Sequence, residues 1–510
     1  MADRYYVTTP IYYVNDSPHI GHAYTSLACD VLARFMRLDG REVLFLTGTD
    51  EHGQKVEKAA EAAGIAPQTF TDEVSGRFRR LAEAMNFSND DFIRTTEQRH
   101  VEAVQGLWNE LVARGEIYLD SYAGWYSVRD EAFYAESELV DGKAPSGAPV
   151  EWVEEPSYFF RLSAWQDRLL EHYRTHPDFI LPDSRRNEVM RFVEGGLQDL
   201  SVSRTSFSWG IEVPNDPAHV VYVWLDALTN YCSAVGYPDT ASPTYQRFWP
   251  ADLHMVGKDI LRFHAVYWPA FLMAAGLAPP RRVYAHGWWT NEGQKISKSL
   301  GNVIDPLQLI ERYGLDATRY FLMREVPFGA DGDFSHRAMV QRMNADLAND
   351  YGNLAQRSLS MIAKNCAGSV PEPGAFTLED QALLDSATAL VPQVRDLLAI
   401  QQFHKSLEAI WHVVGDANRY VDAQAPWSLR KTDPARMATV LYTLAETVRR
   451  LAILTQPFMP DASAKLLDQL AVPAEARTLA HLTDEARLVP GTPLPKPQGV
   501  FPRYTEDEAA

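Results

Sequence analysis

The chain is poor in cysteine and has no long apolar run. These two absences exclude disulfide-rich and membrane-spanning classes of protein. Its three cysteines, Cys29, Cys232 and Cys366, lie far apart among 510 residues. Three separated thiols can build neither a disulfide framework nor a four-cysteine zinc site. No apolar segment approaches the ~20 residues that a membrane-spanning helix needs, and the first residues lead directly into a predicted strand. We therefore expect a cytoplasmic protein that is neither secreted nor membrane-spanning.

Basic residues are scarce relative to acidic ones. Lysine and arginine together number 48, against 67 aspartates and glutamates, which gives a formal net charge of −19. A generic nucleic-acid binder owes its affinity to a basic surface, so this charge argues against that class. It leaves room for local basic pairs that could follow an RNA, or that could equally be scattered helix-surface charge. These pairs are Arg185–Arg186, Arg281–Arg282, Arg430–Lys431 and Arg449–Arg450.

Length and composition indicate a globular protein with several domains. A hydrophobic fraction of 46% and a charged fraction of 23% are ordinary for such proteins, and neither disorder nor a fibrous class competes. At roughly 150 residues per domain, a chain of 510 residues should divide into about three or four domains.

Two short segments, Pro18–His22 (PHIGH) and Lys295–Ser299 (KISKS), carry the most information. The first lies between the β-rich run Tyr5–Val14 and a predicted helix, so it opens that helix. A helix N-terminus offers unpaired N–H groups and partial positive charge, and Gly21 lets a ligand approach the backbone. The second brings two ammonium groups into a loop rich in glycine and serine that could close over phosphates. Each segment alone is weak evidence, but together they predict an ATP phosphate site.

The N-terminal part alternates β-rich and helical stretches, which predicts a parallel sheet with crossover helices. The predicted strands are Tyr5–Val14 and Val43–Thr47, and the predicted helices are Ala23–Leu38 and Gln54–Ala63. Asp50 and His52 directly follow the second strand, at the carboxyl edge where such sheets bind ligands. Both are therefore candidate site residues.

Changes in composition and in hydrophobic pattern along the chain predict its domain boundaries. An aromatic-rich stretch with a Pro/Gly loop at Gly142–Pro149 reads as an insertion, and the α/β pattern returns by Val220. Apolar residues at helical spacing later indicate a bundle, as in Leu383–Leu398, Ser406–Val421 and Arg436–Leu454. The predicted division is a first half-sheet at 1–115, an inserted domain at 116–219, a second half-sheet with the lysine loop at 220–300, a connector at 301–334, and the helical bundle with a Pro-rich tail at 335–510.

The ordered pair of segments resembles the two signatures of the class I aminoacyl-tRNA synthetases, with Ile296 in place of the usual methionine. The resemblance covers nearly the whole chain and is greatest to the methionine-specific members of that family. It implies an α/β protein, with a Rossmann-like parallel-sheet catalytic domain split by an insertion and an α-helical anticodon-binding bundle after it. Further matching stretches occur in order at Thr49–Gly53, Tyr222–Ala227, Gly257–Ile260, Phe263–His264, Asn353–Arg357 and Ala425–Trp427.

The resemblance also implies the reaction. L-Methionine and ATP give methionyl-adenylate and pyrophosphate, and methionine then passes to the 3′ end of initiator and elongator tRNA(Met). Neither step needs a side-chain nucleophile, because alignment and charge stabilisation lower the barrier. By the same resemblance, His19, His22, Lys295 and Lys298 stabilise the reacting phosphorus and the leaving pyrophosphate, with Mg²⁺ sharing that load. The implied ATP-binding residues are Gly21, Gly257, Asp259 and Lys298.

A methionine pocket and an anticodon reader follow from the resemblance. Asp50 is expected to hold the α-ammonium, and aromatic walls suit an apolar, polarizable thioether, to which Tyr13 and His264 could offer weak polar contacts. Taken singly, the pocket aromatics could be plain core residues. The expected pocket residues are Ile11, Tyr13, Asp50, Trp224, Ala227, Leu228, Tyr231, Ile260, Phe263, His264 and Trp268. Asn353, Arg357 and Trp427 match the positions that read the CAU anticodon, although Trp427 could instead plug the bundle core.

The chain departs from many family members in its inserted domain, where zinc knuckles are built from cysteines. Here Ser127, Asp130, Ala144 and Ser146 stand where ligands would be, and serine and alanine cannot hold tetrahedral Zn²⁺. We expect a metal-free single knuckle that keeps its shape by packing and hydrogen bonds. No appended dimerisation domain is recognised after the bundle, so a monomer is expected.

Other functions stay open at this point. A class I synthetase for leucine, isoleucine, valine or cysteine would share the ATP motifs, although the first three carry a larger insertion and the last needs a zinc-bound thiolate pocket. A catalytically silent tRNA-binding relative would not need the intact histidines and lysines. A bare nucleotidylyltransferase would not need the helical bundle.

Overall fold

The structure is a computed structural model that describes residues 3–15, 17–296 and 300–506. The chain forms two compact units. One consists of residues 4–29 and 43–286, and the other of the described residues in 1–3, 30–42 and 287–510. None of the helices in the described residues has both the length and the apolarity needed to cross a membrane.

The first unit is built on a parallel sheet. The N-terminal elements of the chain are β1 (Arg4–Thr8), β2 (Tyr12–Tyr13), α1 (Ile20–Leu38), β3 (Glu42–Asp50), α2 (Gln54–Ala63), α3 (Pro67–Ala84), β4 (Asp91–Arg94) and α4 (Gln98–Ala113). All lie in this unit except residues 30–38 of α1 and Glu42 of β3, which belong to the other unit. Helix α2 has the predicted bounds. The predicted strand Tyr5–Val14 is divided into β1 and β2 on either side of Pro10, which lacks the N–H that a central strand donates.

The rest of this unit contains the insertion and the return to the sheet. Its elements are β5 (Ile117–Ser127), β6 (Ala132–Tyr134), β7 (Glu151–Phe160), α5 (Gln166–Thr175), β8 (Ile180–Leu181), α6 (Asp183–Glu194), β9 (Leu200–Ser201), β10 (Ser203–Arg204), β11 (Glu212–Val213), β12 (Asp216–Val221), α7 (Val223–Ser233), α8 (Pro243–Phe248), β13 (Leu253–Gly257), α9 (Trp268–Ala274) and β14 (Val283–His286). A short π-helical segment, Phe263–Tyr267, precedes α9.

The strand order of the large sheet is β2-β3-β1-β13-β14-β8, with β4 beside β3. The pairs β1–β13, β13–β14, β14–β8, β2–β3 and β3–β4 are parallel. Strands from both ends of the unit therefore lie side by side, as expected for a sheet that an insertion interrupts. The predicted parallel sheet is confirmed.

One strand of this sheet lies inside the segment that the sequence assigned to the insertion. Ile180–Leu181 pairs with Val283–Tyr284, so the chain returns to the sheet edge before residue 219. Strands β5, β6, β7 and β9 form a separate antiparallel sheet, in the order β6-β5-β7-β9, and β10, β12 and β11 form another, in the order β10-β12-β11. A strand of two residues shows no periodicity that a sequence pattern could reveal.

The turn after β5 occupies the position of the expected knuckle. The backbone N–H of Asp130 donates to Ser127 Oγ at 3.2 Å, and the Tyr134 hydroxyl donates to the Asp130 carboxylate at 3.1 Å. The Ser146 hydroxyl donates to the same carboxylate, and Arg129 Nη2 donates to the Ser146 carbonyl at 2.8 Å. Three of the positions that stand where metal ligands would be are thus joined by hydrogen bonds. No cluster of three or more His, Cys, Asp or Glu that could hold a metal occurs in the described residues.

The second unit is mostly helical. Its elements are β15 (Trp289–Asn291), β16 (Gln294–Lys295), α10 (Pro306–Tyr313), α11 (Leu315–Arg324), β17 (Gly332–Phe334), α12 (His336–Gln341), a π-helical segment Arg342–Gly352, α13 (Asn353–Asn365), α14 (Leu378–Ala399), α15 (Phe403–Gln424), α16 (Pro426–Thr432), α17 (Pro434–Thr455) and α18 (Pro460–Gln469). The three predicted bundle helices lie within α14, α15 and α17.

One basic pair proposed as an RNA contact is buried in this bundle. Arg449 and Arg450 are 1% and 0% exposed. Both guanidinium groups donate to Glu446 Oε1, at 2.6 and 2.8 Å. A charge this deep is retained because it is paired, and it cannot face an RNA. For this pair, the prediction of a surface contact is wrong.

The hydrogen-bonded turn predicts a knuckle without zinc. Elemental analysis of protein purified from zinc-supplemented medium should find well below one zinc per chain, because a hydroxyl and a methyl at ligand positions cannot hold tetrahedral Zn²⁺. Stoichiometric zinc, lost to a chelator together with the folded inserted domain, would contradict this prediction.

Candidate active site

The PHIGH segment forms the start of helix α1. The His19 N–H donates to His22 Nδ1 at 3.0 Å, and the Gly21 N–H donates to His19 Nδ1 at 3.1 Å. The two rings lie with their centroids 3.9 Å apart. A Cβ on Gly21 would lie only 2.9 Å from the His19 ring, so a side chain there would displace that imidazole. Glycine is therefore needed for the packing of His19 as well as for ligand approach.

These hydrogen bonds determine which ring nitrogens carry protons. A nitrogen that accepts a backbone N–H has no proton, so each imidazole carries its proton on Nε2. Burial, together with the neighbouring His19, lowers the pKa of His22 well below its ordinary value. His22 is thus a neutral N–H donor at neutral pH. Such a group can donate a hydrogen bond to an oxygen atom on which negative charge develops.

Other predicted phosphate-site residues lie at different places. Gly257 ends β13 at the carboxyl edge of the sheet, and a Cβ there would lie 2.5 Å from Asp259 Oδ1. Asp259 follows in a short 3₁₀ helix, Lys258–Ile260, and is exposed. Lys295 is an exposed residue of β16, in the second unit. Lys298 lies outside the described residues, and its role stays a prediction.

Asp50 is a buried carboxyl at the end of β3. It is 2% exposed and is the register partner of Tyr13 on the neighbouring strand β2. Its Oδ1 atom has no hydrogen-bond partner among the described residues. Burial, with the charges of Asp226, Glu131 and Glu51, raises the pKa of Asp50 well above its ordinary value. A cation placed beside it would restore the ionised form.

His52 has a supporting role in the structure. Its Nδ1 lies 2.7 Å from Asp226 Oδ2, and His100 Nε2 lies 2.8 Å from Asp226 Oδ1. Burial alone would raise the pKa of Asp226, but the two histidines outweigh it and lower that pKa. His100 was missed by the sequence prediction, because nothing around it in sequence marks a partner 126 residues away.

Aromatic side chains line the predicted methionine pocket. The rings of Trp224 and Phe263 are stacked, with centroids 3.7 Å apart and an interplanar angle of 6°. Tyr13 meets Trp224 edge-on at 6.4 Å. Ala227 and Leu228 follow Trp224 at helical spacing on α7, so they share its face. Most of the predicted residues belong to, or pack against, the large hydrophobic core of this unit: Ile11, Tyr13, Trp224, Leu228, Tyr231, Ile260, Phe263 and Trp268.

A hydrogen-bonded chain lies behind the aromatic wall. His264 Nδ1 lies 2.9 Å from the Ile260 carbonyl and must donate to it, so Nε2 accepts from the Tyr231 hydroxyl at 2.6 Å. Burial lowers the pKa of His264 to about 4. Both ring nitrogens are therefore occupied by protein groups. His264 orients Tyr231, and a contact of His264 with a sulfur atom stays a prediction.

A second buried histidine, His254, was not predicted. Trp268 Nε1 donates to His254 Nε2 at 3.2 Å, so the proton on Nδ1 points to Thr8 Oγ1 at 2.8 Å. The His254 ring stacks on Tyr231 with centroids 4.0 Å apart. Burial lowers the pKa of His254 well below its ordinary value, and His264 adds to that effect. His254 thus holds two pocket aromatics in place as a neutral group.

Arg357 and Trp427 meet in the helical bundle. The Arg357 guanidinium lies 5.6 Å from the Trp427 ring centroid, and it donates to Asp422 at 2.9 Å. Asn353 is exposed one turn before Arg357 on α13. Trp427 is 46% exposed, which excludes the alternative of a core plug. The three predicted anticodon residues are surface groups, and their contact with RNA stays a prediction.

Comparisons with known proteins all point to one family. The family described as class I tRNA synthetases (M) matches residues 5–149 and 139–359, and the anticodon binding domain of methionyl tRNA ligase matches residues 370–510. The chain is 60% identical to a methionine–tRNA ligase of Mesorhizobium japonicum over 100% of this chain and 99% of that protein. It is 57% identical to one of Mycobacterium bovis over 98% of each chain.

Solved structures give the same result. A Mycobacterium tuberculosis methionyl-tRNA synthetase in complex with methionyl-adenylate is similar at a TM-score of 0.96 and 56% identity, covering 98% of this chain and 100% of that one. The apo form of the enzyme from that organism is similar at a TM-score of 0.90 and 53% identity, covering 99% of each chain.

Folding stability should depend on the protonation of His264. Because burial lowers its pKa from 6.5 to about 4, the unfolded chain binds this proton at a higher pH than the folded protein does. The contribution of neutral His264 to the free energy of unfolding is complete above pH 6.5. It is lost as the pH falls toward about 4, which lowers the free energy of unfolding by up to ~3 kcal/mol. Urea unfolding over this range should give a shallower pH dependence for His264→Gln than for the wild type. Parallel dependences would contradict the neutral assignment.

Proposed function

Because the chain belongs to the class I methionyl-tRNA synthetases, we propose that its aromatic pocket and the start of α1 bind L-methionine and ATP. The products of the first step are methionyl-adenylate and pyrophosphate, and methionine is then transferred to the 3′ end of tRNA(Met). One observation is the main support for placing the ligand in this pocket. Three buried polar atoms around it, Tyr13 Oη, Asp50 Oδ1 and Trp224 Nε1, lack partners among the described residues. Buried polar atoms are normally paired, so these atoms indicate a ligand.

The amino acid is expected to bind with its ammonium at Asp50 and its thioether between the aromatic rings. Burial makes an unpaired carboxylate unfavourable at Asp50, and an α-ammonium supplies the missing opposite charge. The stacked Trp224 and Phe263 offer sulfur–aromatic contacts, each worth about 0.3–1.5 kcal/mol. The Tyr231 hydroxyl donates to His264, so only its oxygen lone pairs and ring face can meet the ligand. A thioether tolerates such surroundings because it is itself only a weak acceptor.

ATP is expected to bind at the start of α1. His19 and His22 carry their protons on Nε2, and these N–H groups with the helix N-terminus suit the negative charge that develops on the phosphates. Mg²⁺ enters with ATP, since it is usually held by substrate phosphates and water. Gly257 permits close backbone approach, and Asp259 is assigned to the ribose hydroxyls by its position in the family motif. Lys295 and Lys298 are assigned to the pyrophosphate on the same basis.

The transfer step needs a means of selecting tRNA. Splayed anticodon bases require a stacking surface and hydrogen-bond donors, which Trp427, Arg357 and Asn353 supply on the bundle surface. We extend the proposal to both initiator and elongator tRNA(Met), since the same CAU anticodon serves both. A cytoplasmic monomer is the form proposed, because tRNA charging takes place in that compartment and the site is built from one chain.

Exchange of labelled pyrophosphate into ATP tests the function directly. Methionine should stimulate exchange, whereas leucine, isoleucine, valine and cysteine should not. Asp50→Asn should lower kcat/KM for methionine by about 30-fold or more, because a buried partner of the ammonium charge is lost. Asp120→Asn, on the exposed part of β5, serves as the matched control and should leave the rate unchanged. Stimulation by leucine but not by methionine would refute the proposal.

If Asn353, Arg357 and Trp427 bind the anticodon, their mutation should affect aminoacylation of tRNA and leave activation of the amino acid unchanged. Trp427→Ala should lower kcat/KM for tRNA in aminoacylation by about 5- to 150-fold, because stacking on an aromatic ring is worth about 1–3 kcal/mol per base. Pyrophosphate exchange should not change, since that step needs no tRNA. Trp427→Phe should recover most of the loss. Equal losses in both assays would indicate a folding defect and not a role in tRNA binding.

A further inference from the structure

Glu131 is a buried carboxyl to which no role has been assigned so far. It lies in the turn between β5 and β6 of the inserted domain and is 1% exposed. Neither carboxylate oxygen has a hydrogen-bond partner among the described residues. Its backbone φ is 48°, a left-handed conformation that residues other than glycine rarely adopt. Strain together with a buried unpaired charge is typical of functional positions.

The turn is held firmly against the pocket. The Tyr222 hydroxyl donates to the Glu131 carbonyl at 3.0 Å, and Tyr222 immediately precedes α7, which carries Trp224. The buried guanidinium of Arg204 lies over the rings of Phe133 and Tyr222, at 4.4 and 4.6 Å from their centroids. Cation–π contacts are strengthened where the cation is desolvated. The position of Glu131 is therefore determined by packing on both sides of the hairpin.

The Glu131 side chain extends toward the start of α2 and the Tyr13 hydroxyl. A Cβ on Gly53, at the start of α2, would lie 2.6 Å from Glu131 Oε1. The Tyr13 hydroxyl and the Lys55 backbone amide also face the carboxylate, without reaching hydrogen-bond geometry in the described structure. Tyr13 is the register partner of Asp50, whose Oδ1 is itself unpaired. Two buried carboxyls and one phenol thus converge beside the aromatic pocket.

Like charges buried near each other are unfavourable unless a cation is placed with them. Burial raises the pKa of Glu131 to about 7, and the Tyr13 hydroxyl and the Lys55 charge partly offset that effect. In the proposed reaction, the α-ammonium of the amino acid is the cation that enters this space. Its arrival would favour the ionised form of both carboxyls at once.

We propose that Glu131 is a substrate-positioning residue of the amino-acid site, whose carboxylate orients the Tyr13 hydroxyl and adds to Asp50 the negative charge that holds the α-ammonium. This inference rests on the proposed function. It makes the hairpin of the inserted domain part of the amino-acid site, so that binding of the amino acid and the position of this hairpin depend on each other. The competing explanation is a structural carboxylate that only stabilises the N-terminus of α2.

A binding cycle separates the two explanations. The dissociation constants of methionine and of 4-(methylthio)butanoate, which lacks only the ammonium, are measured by titration calorimetry on the full chain. Glu131→Gln should raise the dissociation constant of methionine by about tenfold and that of the desamino acid by less than about twofold. The reason is that the charge of Glu131 acts on the ammonium. Glu131→Asp, which keeps the charge, should recover part of the affinity. Glu136→Gln, on an exposed glutamate of the same segment, should match the wild type.

The possible results distinguish a failure of the positioning role from a failure of the proposed function. Equal weakening of both ligands, or no weakening of either, would refute the positioning role of Glu131 and leave the proposed function intact. Failure of the wild-type chain to bind methionine would refute the proposed function itself. Thermal unfolding of each variant shows whether a loss reflects the fold.

The pH dependence gives a second readout that a purely structural role would not produce. Methionine affinity of the wild type should fall as the pH is lowered from about 8 to about 6, since Glu131 becomes protonated over that range. Glu131→Gln should lose this part of the dependence, and any contribution of Asp50 should remain in both. An unchanged profile in the variant would contradict the proposal. The ionisable groups that face Glu131 are Tyr13, Asp50, Lys55, Arg204 and Tyr222.

Discussion

The proposed amino-acid site depends on one buried carboxylate, Asp226, which is hydrogen-bonded to the imidazoles of His52 and His100. Asp226 lies on α7, His100 lies on α4 and His52 follows β3, so the bridge ties α7 to the edge of the parallel sheet. Helix α7 also carries Trp224, whose ring stacks on Phe263. Removal of one partner would leave a buried polar group unsatisfied, at a cost of about 1–3 kcal/mol. The pocket is thus held by a polar network beneath an apolar lining.

Neutral histidines give this network its direction. His22, His254 and His264 all have pKa values lowered by burial, so at neutral pH each ring has one donor and one acceptor nitrogen. The direction of every bond in the chain from Trp268 to Thr8, and from Tyr231 to Ile260, follows from that rule. A pocket for a thioether offers few strong polar contacts with its ligand, so rigid aromatic walls must do much of the selection.

Sequence reasoning predicted local structure well and tertiary pairing poorly. The helix bounds Gln54–Ala63, the start of α1 after PHIGH and the helices of the bundle all carry short-range signals. The strand Ile180–Leu181 is too short to show a pattern, and Arg449–Arg450 has the same composition whether it is buried or exposed. His100, His254 and Glu131 were missed, because each takes its role from residues distant in sequence.

The sequence by itself determined the class of the protein, since motif order, strand–turn–helix chemistry and helical periodicity are properties of neighbouring residues. It also proposed a set of pocket residues and the charged groups at the sheet edge, which stay predictions. Only the tertiary structure decided which of these groups are buried, which ring nitrogens carry protons, and which carboxyls lack a partner. The reason is physical: burial and hydrogen-bond geometry arise when segments such as those of His52 and Asp226, 174 residues apart, are packed together. For Glu131, this packing turned an ordinary turn residue into a buried carboxyl that faces Tyr13 and Asp50.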